Sequence, residues 1–275
     1  MARIACCQLD VVKADFEANK RRFVEVLGEL QTQGVELAIF PECFLTGYAF
    51  NSHEEAHSAA ITRSQAAELQ SAVDETGILA IVGFAEKFDG DMANSAVLLE
   101  PETTPRFFRK VHLPHIGLDR FVTGGDELPV FETRLGRIGI LICFDQRHPE
   151  GARTLVLKGA DLICLPTNWP EGAEMSAHYI APARAAENRV CYATCNRAGS
   201  EGGFNFIGAS ALYEVSGKCV AKAEIGSTIL IGELDLMSSR NKRTVVKPGE
   251  YEWTMDESRR PELYGALVEP LQTNG

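Results

Sequence analysis

The sequence predicts a single α/β domain with a mixed, largely two-sheet core, and three observations carry that prediction. Apolar runs of strand length alternate with helix-periodic stretches in both halves of the chain. The runs VELAIFPE and RIGILIC are almost continuously apolar, as strands covered on both faces are. No linker-like segment divides the 275 residues, which are enough to bury one large core.

In chain order, residues 2–9 (ARIACCQL) read as a strand. Residues 14–33 read as a helix, with Phe16, Phe23, Val24, Leu27 and Leu30 on one face and Gly34 as its stop. The run 35–42 is a strand ending at Pro41 and Glu42, which completes a strand–helix–strand unit. A helix over about 62–76 precedes strands at 79–88, 94–100 and 106–112. The first two of these strands are joined through Asp89-Gly90-Asp91, and Asp-Gly is tight-turn chemistry. Residues 113–128, with Pro and three Gly, form a loop long enough to suggest a function. The second half gives a strand at 137–143, a helix at 149–159 with Pro149 in its first turn, a strand at 161–166 and a helix at 176–188. A strand at 190–195, a hairpin across 207–222 turning near Ser216-Gly217, and a strand at 228–235 complete it. Beyond about Leu236 the chain turns polar, and 237–275 is expected to pack across the surface or onto a partner subunit.

A net charge of −11 and a pI near 5.1 oppose a nucleic-acid backbone, and Lys and Arg form no stripe that reverses this locally. The apolar residues after Arg3 are too few for a signal-peptide core, and no apolar run approaches the ~20 residues of a membrane span. A cytoplasmic protein with neither nucleic acid nor membrane as partner is expected. The eight cysteines lie mostly within apolar runs and never as C-x-x-C, so apart from Cys143 they read as reduced thiols serving as small apolar residues.

Three residues at the ends of apolar runs stand out. Cys143 closes the run 137–143 and is followed at once by a helix start, where N–H groups and the helix dipole favour thiolate. Glu42 ends the buried run 35–42, where a carboxylate is costly unless paired or used. Alternation along 106–112 sends Lys110 to the face opposite Arg109, where an ammonium needs an anion. Each also has a plain reading, as a core thiol, a capping or salt-bridged Glu and a surface Lys. His53 with His57, and His112 with His115, lack the surrounding ligands of a zinc site, and the glycines at 124, 125, 202 and 203 do not follow strands as a phosphate-binding turn would.

Together, PECFLTGY (41–48), RKVHLP (109–114) and CFDQRHPE (143–150) closely resemble the Glu, Lys and Cys signatures of the nitrilase, or carbon–nitrogen hydrolase, superfamily, in the same order and at similar spacing. NSAVLL (94–99), GRIGILIC (136–143), GARTLVLKGADLICLPTNWP (151–170), ARAAENRV (183–190) and NRAG (196–199) extend the likeness from residue 2 to about 240. The resemblance implies a four-layer αββα sandwich, subunits joined as at least a dimer, and no cofactor or metal. It implies Cys143 as nucleophile, Glu42 as general base, Lys110 as the cation beside a developing oxyanion, and the Phe144 N–H as a donor to that oxyanion. A small primary amide, of an aliphatic or ω-amidase type, is the expected substrate. An N-carbamoyl compound or a nitrile would follow from the same chemistry, and a non-catalytic binding subunit of the same fold is the rival of another class. Many members carry a second glutamate in the loop after the lysine motif. Here that loop is His115-Ile116-Gly117-Leu118-Asp119-Arg120-Phe121, so Asp119 either substitutes for it or pairs with Arg120 at the surface. Tyr48, His115, Asn168 and Trp169 are the candidates to line the acyl pocket, with core packing the alternative for Tyr48, Asn168 and Trp169.

Overall fold

The computed structural model describes residues 1–270. Its first half comprises β1 (Ala2–Gln8), α1 (Phe16–Gln31), β2 (Leu37–Ile39), α2 (His53–Ala59), α3 (Arg63–Ala67), α4 (Gln70–Thr76), β3 (Leu79–Phe88), β4 (Asp91–Leu99) and β5 (Arg106–Arg109). The second half comprises β6 (Val130–Thr133), β7 (Gly136–Ile140), α5 (Pro149–Leu157), β8 (Leu162–Thr167), α6 (Ala181–Asn188), β9 (Cys191–Asn196) and a small ribbon of β10 (Ser200–Glu201) and β11 (Phe204–Asn205). It then continues through β12 (Ala211–Tyr213), β13 (Cys219–Lys222) and β14 (Thr228–Leu234) to a terminal hairpin of β15 (Arg243–Lys247) and β16 (Tyr251–Thr254).

Two six-stranded sheets result, ordered β14-β1-β2-β3-β4-β5 and β13-β12-β9-β8-β7-β6. Each has three parallel strands at its centre, β1-β2-β3 and β7-β8-β9, with antiparallel strands outside. Alternation along the strands divides their side chains between layers. On β1, Ile4 and Cys6 face inward to meet Ile138, Ile140, Leu162 and Cys195 of the other sheet, while Ala5 and Cys7 face outward under Phe23, Leu27 and Leu30 of α1. The outer face of the second sheet, through Ile163, Leu165 and Tyr192, is covered by Ala152 and Leu155 of α5 and by Ala181 and Ala185 of α6. The order helix, sheet, sheet, helix is the expected αββα sandwich. No helix among the described residues is long and apolar enough to cross a membrane.

Several boundaries differ from expectation. The run 35–42 forms a strand only over Leu37–Ile39, because Phe40, Pro41 and Glu42 turn out of the sheet toward Cys43, whose φ is 52°. The stretch 62–76 breaks into α3 and α4 at Glu68 and Leu69, and the third strand of that half stops at Arg109. The helix over 176–188 opens with a π-turn across Ser176–Ile180 before α6. Helix α2 and strand β6 were not anticipated. The strand predicted to end at Cys143 ends at Ile140, and Cys143 opens a 3-10 turn (Cys143–Arg147) with φ 45°. The Asp89-Gly90 turn is as expected, both residues having positive φ (46° and 86°) between paired Phe88 and Asp91. Of the tail 237–275, residues 271–275 lie outside the described part. The rest runs over the surface, anchored where Arg240 Nε and Nη2 each lie 2.9 Å from the buried Asp161 carboxylate.

One close approach matters for the site. A Cβ on Gly83 of β3 would lie 2.5 Å from the Cys43 nitrogen and 2.6 Å from the Pro41 carbonyl oxygen, so only glycine lets the segment carrying Glu42 pack on the sheet. Gly83→Ala is therefore expected to destabilise the fold by about 1–3 kcal/mol through overpacking and to lower turnover by displacing Glu42. Urea denaturation and kinetic assays of the variant check this.

Candidate active site

Four side chains converge from strand ends of both sheets. Glu42 follows β2, Lys110 follows β5, Cys143 follows β7 and Thr167 ends β8. The carboxyl ends of parallel strands are where open α/β sheets bind ligands. The turns that follow β2 and β7 each place a cysteine in the left-handed region, Cys43 and Cys143. Non-glycine residues adopt it rarely, and such conformations cluster at functional sites.

Lys110 is wholly buried, with Nζ 2.8 Å from Glu42 Oε1 and 2.6 Å from Asp119 Oδ2. Asn94 of β4 bridges the two carboxylates, its Nδ2 donating to Glu42 Oε1 at 2.7 Å and to Asp119 Oδ1 at 2.8 Å. The Tyr48 hydroxyl donates to Asp119 Oδ2 at 2.8 Å, with the Ile116 carbonyl 3.1 Å away. Every oxygen of the two carboxylates is thus engaged except Glu42 Oε2, which is buried and has no partner among the described residues.

Burial acts to lower the pKa of Lys110, but Asp119 and then Glu42 outweigh it and hold the ammonium well above the usual lysine range. Glu42 is pushed up, first by burial and also by the Asp119 charge, against the pull of Lys110 and Asn94. The Cys143 thiol is pushed up to about 12 by burial and by Glu42, while Lys110, the Thr167 hydroxyl and the Asn168 N–H pull it down. This corrects the expectation of a thiolate-favouring turn: burial outweighs the surrounding donors, and the resting sulfur is a neutral thiol.

The sequence candidates separate accordingly. Glu42, Lys110 and Asp119 meet beside Cys143, and Asp119 pairs with Lys110 instead of Arg120, whose guanidinium is exposed and donates to the Phe50 and Gly117 carbonyls. Tyr48 is buried in contact with Asp119, so it holds that carboxylate more directly than it walls a pocket. Asn168 brings its N–H to the thiol, and both polar atoms of its buried side chain lack partners among the described residues. Trp169 lies in the core beneath the second sheet, its N–H bound to Asn196 at 2.8 Å. His115 is exposed and lines a shallow surface cavity of about 260 Å³ with Phe50, Arg120 and Phe204, so it does not join the cluster around the thiol. Phe144 is the second residue of the 3-10 turn, and the first N–H groups of a helix have no acceptor within it, leaving this one able to donate to an incoming oxygen.

Sequence reasoning missed Asn94 and Thr167 as polar members of the site. Their signal was present, since each is a polar residue in a strand that is mostly buried and apolar. It also missed Glu201, which accepts from the Tyr48 and Ala49 N–H groups at 2.8 and 2.5 Å and is paired at 2.6 Å with the wholly buried Arg197. That link joins chain segments far apart in sequence, and periodicity cannot reveal it. Cys43 is a buried thiol, its pKa raised first by burial, and it donates to Asn94 Oδ1 at 3.6 Å.

Comparison with known proteins identifies the family. The carbon-nitrogen hydrolase family profile matches residues 3–244. A protein of Pyrococcus abyssi named as a nitrilase is 35% identical over 248 residues, covering 88% of this chain and 93% of its own. An Escherichia coli omega-amidase is 29% identical over 245 residues, covering 88% of this chain and 93% of its own. In fold, the crystal structure of a carbon-nitrogen hydrolase from Helicobacter pylori superposes with a TM-score of 0.87 at 22% identity, covering 98% of each chain. A likeness of that extent places this chain in the carbon-nitrogen hydrolase family, the nitrilase superfamily of enzymes that hydrolyse non-peptide carbon–nitrogen bonds.

Proposed function

We propose that the chain hydrolyses a small primary amide to a carboxylate and ammonia through a thioester on Cys143. The observation that carries this reading is a wholly buried ammonium, Lys110, held at 2.8 and 2.6 Å between two buried carboxylates beside a partly accessible thiol. As the Cys143 sulfur bonds to the amide carbon, its proton passes to Glu42, whose raised pKa suits it as a base for a thiol of raised pKa. The carbonyl oxygen becomes an oxyanion beside the Lys110 ammonium and the Phe144 N–H. Collapse breaks the C–N bond, and ammonia leaves with the proton from Glu42. A water attacks the thioester and gives its proton to Glu42, which returns it to the departing sulfur as the acid forms.

The omega-amidase among the relatives supports an amide substrate, and a short aliphatic or ω-amide acyl group is the first choice. A cytoplasmic setting and assembly as a homodimer or larger belong to the same reading; Leu263, Leu267 and Val268, exposed on the tail, support the assembly. The test is ammonia release from a panel of amides, N-carbamoyl compounds and nitriles. Release from amides is expected; release from one of the other classes alone would move the substrate within the same chemistry. Release from none would leave the binding-subunit reading.

Asp119 supplies the second carboxylate in this scheme by fixing the Lys110 ammonium. Asp119→Asn is expected to lower kcat on the order of 10²-fold, the scale of losing one positioned electrostatic partner. Unchanged turnover in steady-state assays would remove it from the site.

The pH profile follows from the two raised groups. Protonation of Glu42 removes the base, so kcat/KM is expected to fall on the acid side with an apparent pKa above the ~4.3 of an ordinary glutamate. Ionisation of the thiol removes the proton needed by the leaving ammonia, and that limb lies toward the pKa of about 12. An alkaline limb near the ~8.5 of a free thiol would contradict the scheme.

A further inference from the structure

We infer that Asp145 is a positioning residue that fixes Cys143 relative to Lys110, acting through main-chain N–H groups; the inference rests on the reaction proposed above. Its carboxylate is wholly buried. Oδ2 accepts the N–H of Ile142, the residue before Cys143, at 2.9 Å. Oδ1 accepts the N–H of His112, just beyond Lys110, at 2.8 Å and lies 2.9 Å from His112 Nδ1. Ile142 leads into the turn of the second sheet, while His112 follows the edge strand of the first. One carboxylate therefore clamps the backbone of the nucleophile to the backbone of the cation, across the seam between the sheets.

The clamp also closes the turn it sits in. The Asp145 N–H donates to the Ile142 carbonyl at 3.0 Å, so residue 142 is bound from both sides of its peptide. The His112 ring is stacked on His148 at 4.0 Å and 15°, which holds it beside the carboxylate without needing a charge of its own. Asp145 is absent from the proton path, which runs between Cys143 and Glu42.

Asparagine cannot reproduce the clamp. In either orientation its NH₂ group faces a main-chain N–H, donor to donor, so one of the two backbone ties is lost. An error of about 1 Å between reacting groups is worth on the order of 10² in rate. Alanine at 112 removes the imidazole but keeps the N–H, so it separates a main-chain clamp from a His–Asp proton relay.

The experiment measures kcat, KM and the rate of Cys143 alkylation by iodoacetamide, followed by peptide mass spectrometry with the exposed Cys219 as internal reference. Asp145→Asn is expected to lower kcat at least about 30-fold with KM within about threefold, and to change the Cys143 to Cys219 labelling ratio by about tenfold. His112→Ala is expected to keep kcat within about fivefold, its main-chain tie being intact. Equal losses in the two variants would overturn the clamp in favour of a relay, and an unchanged kcat in Asp145→Asn would overturn it outright. Should Asp145→Asn fail to fold, Asp145→Glu carries the test: its extra methylene displaces the turn, and kcat must fall with KM held. The labelling ratio needs no turnover, so an inert wild-type chain would fail the proposed reaction while a ratio unmoved by Asp145→Asn would fail the clamp.

Discussion

Cys143→Ala is expected to abolish ammonia release, with a loss on the order of 10⁴-fold or more, because nucleophile and base act as one unit and neither has a substitute. The buried thiols near the sheet ends cannot take over. Cys43 is sealed against Asn94, and Cys195 donates to the Ile39 carbonyl at 3.0 Å between the sheets. The fold should tolerate the change, since Cys143 is partly accessible and removing one sulfur opens little volume. Circular dichroism and thermal melting of the variant should therefore match the parent while activity vanishes. Release that survives the substitution would refute a thioester mechanism.

Lys110→Met should be damaging in a second way as well. The site would keep Glu42 and Asp119 close together and buried with no cation between them, and removing one partner of a buried ion pair costs about 3–5 kcal/mol. The activity loss should be on the order of 10³-fold, as expected when the charge beside an oxyanion is removed. Stability carries a signature in its pH dependence. Glu42, already pushed up by burial and by the Asp119 charge, loses the pull of the ammonium that opposes them, so its folded-state pKa stays above the unfolded one and the variant regains stability as pH falls through that window. Urea denaturation at neutral and mildly acid pH measures this, and a variant equally stable at both would show that the carboxylates do not share the lysine charge.

Much of the scaffold was legible in the chain because local pattern and tertiary demand agree there. LAIVGFAEKF, NSAVLL and DLICLP are buried on two faces and read as strands. Phe23, Leu27 and Leu30 repeat at helical spacing because one face of α1 lies on the first sheet. Legibility failed where a non-local contact ends an element early. Phe40 and Ile142 are apolar and fully buried, and nothing in their types says that the strand has already ended. Strand β6 was hidden because Val130, Phe131, Glu132 and Thr133 form an edge with a mixed pattern that, among the described residues, pairs only with β7.

At the site the contrast is similar. Glu42, Lys110 and Cys143 announced themselves as reactive types at the ends of apolar runs, and Asp119 was flagged as the nearest carboxylate in its loop. Its choice between Lys110 and Arg120 depends on a 3-10 turn at Gly117–Arg120, which points the two neighbouring side chains apart. His115, which precedes that turn, is exposed in the surface cavity beside Arg120. Asn94 was read only as the first residue of the strand NSAVLL, yet its carboxamide keeps two carboxylates at a fixed separation.

The positive φ of Cys143 also limits which atom can serve as nucleophile at this position. A side chain branched at Cβ is strongly disfavoured in the left-handed region, whereas an unbranched one is tolerated at a modest cost. Serine can stand where Cys143 does with the backbone unchanged, offering an alkoxide chemistry that Glu42 is too weak a base to drive well. Threonine, the other hydroxyl nucleophile used by hydrolases, would have to bend the chain before it could react at all. The shape of the peptide at one residue thereby screens the nucleophiles open to this scaffold, before sulfur and oxygen are ever compared for reactivity.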